Sequence, residues 1–178
     1  MSLLSSASFC HIKADLLEVV EVVETVEVGY DDDDYVGAPT LWSFGMIDSF
    51  GTNSDFEDTH LALSPYVNDG QFEVFWDVES RDDYFVELRI NDQPNTNGSR
   101  LITSESCGPF NYCDDHQYQF CDYDSDYSIQ CETPNGNIQT EWFDDYIYEQ
   151  DQDLFMILQV CDSSFFYCEY QTKTVLMK

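Results

Sequence analysis

The sequence is poor in positive charge: six Lys and Arg stand against 36 Asp and Glu, a formal net charge of −30. A surface this negative repels phosphate and anionic lipid headgroups. That excludes backbone-tracking nucleic-acid binding and a polybasic membrane contact, and it leaves cations as the expected partners. Zinc patterns are missing too. None of the seven Cys forms a C-x2-C pair, and His11, His60 and His116 show neither metal-centre nor triad spacing. The longest purely apolar run near the end, Leu154 to Leu158, is far short of a membrane helix, so no membrane span is expected. Met1 to Cys10 has no Lys or Arg ahead of its short Ser-rich apolar stretch, and so lacks the charged start of a secretory signal.

Aromatic residues are plentiful. With 12 Tyr, 13 Phe and 3 Trp, the chain has the apolar area to offset its conformational entropy despite its charge, and a folded domain is expected. Seven Cys without close pairs read as a disulfide framework, which implies an oxidising, extracellular or cell-surface setting.

Composition divides the chain into an amino-terminal arm with an acidic hinge, residues 1–56, and a disulfide-stapled β-sandwich, residues 57–178. In the second part, Gln71 to Val78 alternates, with Phe72, Val74, Trp76 and Val78 on one face and Gln71, Glu73, Phe75 and Asp77 on the other. After the turn Ser80-Arg81-Asp82-Asp83, the residues Tyr84, Val86, Leu88 and Ile90 form the next apolar face. Further strands read at Thr59 to Ser64, Ser99 to Ser104, Gln117 to Asp122, Tyr127 to Thr133, Asn137 to Phe143, Leu154 to Cys161 and Phe165 to Leu176. Asn68-Asp69-Gly70, Gln93-Pro94-Asn95 and Pro134-Asn135-Gly136 supply turn chemistry between them. Many short strands with no helical period predict an all-β, antiparallel sandwich.

The run Leu61 through Pro65, then Phe72 to Val78, then Tyr84 to Ile90 resembles the first three strands of a fibronectin type III or immunoglobulin-like domain, with Trp76 at the core Trp position of the second strand. Leu154 to Val160 followed by Phe165 to Val175 is similar to the closing hairpin of such domains. The resemblance covers about the last two-thirds of the chain, and the Cys- and Asp-rich stretch from Cys107 to Cys131 departs from it. It implies an immunoglobulin-like sandwich with a binding or structural role more often than catalysis.

In the arm, Glu18, Glu21, Glu24 and Glu27 recur at every third position among Val residues. On a helix these Glu would drift around the cylinder, and stiff Val side chains disfavour it. On a strand, Leu16, Val20, Val22, Val26 and Val28 share one face. Residues 14–28 would extend roughly 50 Å at about 3.3 Å per residue, more than one small sandwich uses. Two pairings stay open: the arm folds back as a first strand, or it hinges at Asp31 to Asp34 and Gly37 and pairs with a neighbouring copy. The second resembles strand donation in pilus subunits, in architecture only.

Local spacing pairs Cys107 with Cys113, Cys121 with Cys131 and Cys161 with Cys168, leaving Cys10 alone. A tight hairpin at Ser164-Phe165 puts Cys161 opposite Cys168, where non-hydrogen-bonded positions lie close enough for a disulfide. Asp122, Asp124 and Asp126 alternate in a spacing that a tight loop can fold around Ca²⁺, although Tyr127 and Thr133 stand where an EF-hand needs Gly and Glu. Asn97-Gly98-Ser99 is a glycosylation sequon at Asn97. No positioned set of catalytic groups can be named, so no enzyme and no catalytic cofactor is expected. The expected function is a secreted structural subunit that assembles with copies of itself into a filament or surface layer through its amino-terminal strand. The alternative is a monomeric extracellular module that binds carbohydrate or mediates adhesion in a Ca²⁺-dependent way.

Overall fold

The computed structural model describes residues 38–55, 60–109, 113, 117–132, 138–146 and 151–178. Among these residues, ten strands make up two five-stranded sheets. The first sheet runs β1 (Thr40–Ile47), β3 (Gln71–Glu79), β6 (Tyr118–Asp124), β7 (Ser128–Glu132) and β8 (Ile138–Trp142) in that spatial order. The second runs β2 (Leu61–Leu63), β10 (Cys168–Met177), β9 (Gln152–Asp162), β4 (Tyr84–Asn91) and β5 (Arg100–Cys107).

The period of two in the sequence decides which face each strand buries. Phe72, Val74, Trp76 and Val78 of β3 point into the same core as Tyr84, Val86, Leu88 and Ile90 of β4, from opposite sheets. On β9 the inward set is Leu154, Met156, Leu158 and Val160, all fully buried. Side chains of this size stabilise by roughly 1.5–3 kcal/mol each when removed from water. Ile157 and Cys161, on the other face of β9, are buried as well, because this strand lies between β10 and β4.

Three sequence expectations need correction. The sandwich starts before residue 57: Thr40–Ile47 pairs with β3, and Phe44 and Met46 enter the core. The pairing is not wholly antiparallel, since β2 runs parallel to the end of β10 through Leu61 and Val175 to Leu63 and Met177. Tyr127 and Phe165 are not strand residues: both have positive φ (61° and 57°) in tight turns, and the strands begin at Ser128 and Cys168. In the second sheet β9 lies between β10 and β4; in the first, β6 lies beside β3 while β8, which leads into β9, lies at the far edge. The arm, with Leu16, Val20, Val22, Val26 and Val28, lies outside the described residues, as do Cys10, His11 and His116.

Polar side chains finish the edges that the strands leave. Asp48, only 3% exposed, accepts the Phe50 and Thr52 N–H groups at Oδ1 (3.0 and 2.7 Å) and the Ala62 N–H at Oδ2 (2.8 Å). This carboxylate fastens the turn after β1 to β2. On the outer edge of β1, Glu169 Oε2 accepts the Leu41 N–H at 2.9 Å, and the Gln171 amide donates to the Leu41 and Trp42 carbonyls. Further along the same edge, Ser54 Oγ accepts the Met46 N–H and the Ser54 N–H donates to the Met46 carbonyl. An edge covered in this way offers few backbone groups to another strand.

Candidate functional site

Among the described residues three disulfides form, Cys107–Cys113, Cys121–Cys131 and Cys161–Cys168, the sequential pairing read from local spacing. Cys121 and Cys131 are directly opposite on β6 and β7, and Cys161 and Cys168 on β9 and β10, with Cα atoms 4.0 and 4.1 Å apart. The Asp162 N–H bonds to the Tyr167 carbonyl next to the last pair, so Cys161 and Cys168 occupy a narrow non-hydrogen-bonded site. The hairpin they staple carries Phe166 at 83% exposure, with Phe165 stacked on Phe85 at 4.7 Å.

Asp122 and Asp124 lie on β6, and Asp126 lies in the turn to β7. Asp124 Oδ1 accepts the Ser125 N–H (2.7 Å) and hydroxyl (3.3 Å), and Asp126 Oδ1 accepts the Ser128 hydroxyl (2.6 Å). Two of the three carboxylates therefore serve the turn itself. Asp122 joins Asp124, Asp69, Gln71 and Gln130 around a shallow depression. Among the described residues, one set of three potential ligand atoms lies within 4.8 Å of one another. It is Glu105, Cys107 and Cys113, whose two sulfurs are bonded to each other. Asn97 is exposed in the turn before β5, and the Ser99 hydroxyl donates to the Thr96 carbonyl (2.7 Å) and accepts from Arg89 Nε (2.9 Å).

The outer face of the first sheet carries a feature the sequence reading did not assign. Cross-strand register aligns Gln71, Asp122 and Gln130 in one row, Glu73, Phe120 and Glu132 in the next, and Phe75 with Tyr118 in the third. These positions alternate with the buried Phe72, Val74, Cys121, Tyr123, Ile129 and Cys131, so they all face away from the core. Phe120 is 53% exposed and meets Tyr118 edge to face at 5.2 Å. Phe75 is seated on Gly45 of β1: a Cβ there would lie 2.1 Å from the Phe75 ring, so the missing side chain makes room for the aromatic one. The alternation Tyr118, Phe120, Asp122, Asp124 is visible in the sequence, but its neighbours come from distant segments and local pattern does not supply them.

Carboxylates on this face repel one another. Burial pushes the Asp122 carboxyl above its usual range, and the negative charges of Glu132, Asp124 and Asp69 push it further in the same direction. The basic side chains of the described residues lie elsewhere. Arg89 pairs with Glu87 at 2.8 Å, Arg100 with Asp145, and Lys178 stands over the Phe50 ring; Arg81 is in the β3–β4 turn and Lys173 on β10.

Inside the sandwich, Gln119 Nε2 donates to Glu105 Oε2 at 3.0 Å across the two sheets. Trp76 Nε1, Thr103 Oγ1 and Gln119 Oε1 are buried without a hydrogen-bond partner among the described residues. The Tyr84 hydroxyl is pushed up to about 12, by burial first and then by the charges of Glu105 and Asp77. His60, the one histidine among the described residues, is exposed just before β2. No helix among the described residues is long and apolar enough to cross a membrane. Comparison with protein-family models, with curated proteins and with solved structures finds no match.

Proposed function

We propose that the protein is an extracellular recognition module without catalytic activity, whose working surface is the outer face of the first sheet. The observation that carries this reading is the register that brings Phe75, Tyr118 and Phe120 among Glu73, Asp122 and Glu132 on one solvent-facing surface. Phe120 is exposed and Phe75 and Tyr118 are half-buried, and an aromatic patch rimmed by carboxylates that no described basic side chain neutralises is the kind of surface a ligand uses. Three disulfides support the extracellular setting. The test is an NMR titration of the full chain with a panel of oligosaccharides, cationic peptides and Ca²⁺. Amide shifts clustered on β3, β6 and β7 are expected, and a ligand whose shifts fall only on the β9–β10 hairpin overturns the reading.

A second reading is assembly of copies through the amino-terminal strand into a filament or surface layer, and one edge favours it. β2 pairs with Val175 to Met177 only, so along Cys168 to Thr174 the strand partner of β10 is β9 alone among the described strands. That edge is where Leu16, Val20, Val22, Val26 and Val28 of a neighbouring arm would pair. Deleting residues 1–30 should abolish filaments and leave a monomer under this reading. Filaments that survive the deletion exclude it.

A further inference from the structure

We infer that the outer face of the first sheet takes a Lys- and Arg-rich polypeptide, a deepening that rests on the reading of this face as the recognition surface. The geometry selects the shape of the cation. Phe120 stands between Glu73 and Glu132 in one cross-strand row, and Asp122 lies two residues along β6. An exposed ring thus separates the carboxylates, and among the described residues they do not form a converged set of ligand atoms. A divalent ion needs several oxygens at about 2.3–2.6 Å from one centre, and carboxylates held apart by a phenyl ring do not supply them. Long basic side chains suit the spacing. A guanidinium lies flat on Phe120 or Tyr118 while its N–H groups reach the carboxylate beside the ring, and the apolar stem of a lysine covers ring carbon in the same way.

Charge points to the same occupant. None of the five basic residues among those described belongs to the outward rows, so no described side chain offsets the repulsion that adds to burial in raising the Asp122 carboxyl. A basic chain relieves it on binding, and a net charge of −30 steers such a chain to the protein. Neutral saccharide would stack on the rings but leave Glu73, Asp122 and Glu132 uncompensated.

The test is fluorescence anisotropy of a labelled octa-arginine peptide against the full chain at low and moderate salt. The variants are Phe120→Ala, the face triple Glu73→Gln/Asp122→Asn/Glu132→Gln, and the control triple Asp55→Asn/Asp82→Asn/Asp153→Asn, which removes equal charge from exposed positions elsewhere. Phe120→Ala should weaken binding about threefold to fivefold at unchanged net charge, as loss of an exposed cation–π contact does. The face triple should weaken it at least about tenfold and the control triple less than about threefold. Equal losses in the two triples, or no effect of Phe120→Ala, overturn the inference in favour of general charge attraction. Displacement of the peptide by one equivalent of Ca²⁺ but not Mg²⁺ at fixed ionic strength also overturns it, in favour of a metal site. The underlying reading fails separately. If octa-arginine ignores the face while an oligosaccharide shifts β3, β6 and β7 amides, the occupant is wrong and the face stands; if every ligand acts elsewhere, both fall.

Discussion

Replacing Asp48 by Ala removes the acceptor for three backbone N–H groups at once, and the structure allows the loss to be apportioned. Ala62 is a buried strand residue whose N–H bonds to Oδ2, so it becomes an orphan donor in a dry position, a cost of about 2 kcal/mol. The Phe50 and Thr52 N–H groups lie in a partly exposed turn that water can reach, so each loses about 0.5–1 kcal/mol. The total is about 3–4 kcal/mol. Asp48→Asn is the informative partner: its remaining oxygen can keep the Phe50 and Thr52 bonds, while its NH₂ faces the Ala62 N–H, for a loss of about 2 kcal/mol. With a urea slope of about 1.5–2 kcal/mol per molar, the midpoint should fall by about 2 M for Ala and by about 1 M for Asn. Equilibrium urea unfolding followed by Trp fluorescence measures both. A midpoint for Asp48→Ala within about 0.3 M of the parent would refute the assignment of this carboxylate as the clasp between β1 and β2.

Four other outcomes follow from the same structure. Replacing Cys161 and Cys168 together by Ser should cost about 2 kcal/mol, the loop-closure entropy of a seven-residue separation, readable as a lower melting temperature under non-reducing conditions. Tyr84 and Tyr123, both pushed up to about 12, should escape ionisation in a titration at 295 nm until well after the exposed tyrosines. Unfolded tyrosine ionises near 10, so the unfolded chain releases protons first and stability must fall as pH rises from about 10 to about 12. Asp122→Asn should raise the melting temperature at neutral pH, because the folded state disfavours the charged form, and the gain should shrink as pH falls through the raised native value and vanish once the unfolded carboxyl is protonated too. Gly70→Ala should destabilise strongly, by about 3 kcal/mol or more, because φ is +79° and the new Cβ would lie 2.0 Å from the Tyr123 carbonyl oxygen; thermal denaturation reports it.

The parts of the fold legible in the sequence are those with a clean local signal. β3, β4 and β9 show period-two burial, and the hairpin that closes on Cys161 and Cys168 was readable from spacing alone. β1 carries no local signal because its register shifts between Leu41 and Ser43, which leaves Trp42 and Ser43 both exposed and then Phe44 to Met46 buried in succession, a pattern matching neither period. The parallel pairing of β2 and the rows on the outer face depend on which distant strands become neighbours, and no local window contains that information. The surroundings of the Asp triplet are likewise set by strand pairing: Asp122 and Asp124 lie along one face of β6, and Asp126 accepts the Ser128 hydroxyl in its own turn.

The polar clasp between Leu41 and Glu169, together with the Gln171 bonds to Leu41 and Trp42, joins segments separated by 128 to 130 positions in the chain. During synthesis β1 leaves the ribosome well before β10 and can meet β3 soon afterwards, but its outer edge must wait for β10, the last of the described strands. Contacts of such high order close slowly because a long loop has to be ordered before they form. The interval between release of β1 and arrival of Glu169 is therefore the period in which a nascent chain carries an unguarded sheet edge. Slowing translation of residues 151–178 should lengthen that interval and raise the aggregated fraction, and a chain that stays fully soluble when stalled there would show that β1 does not join the sheet until β10 is present.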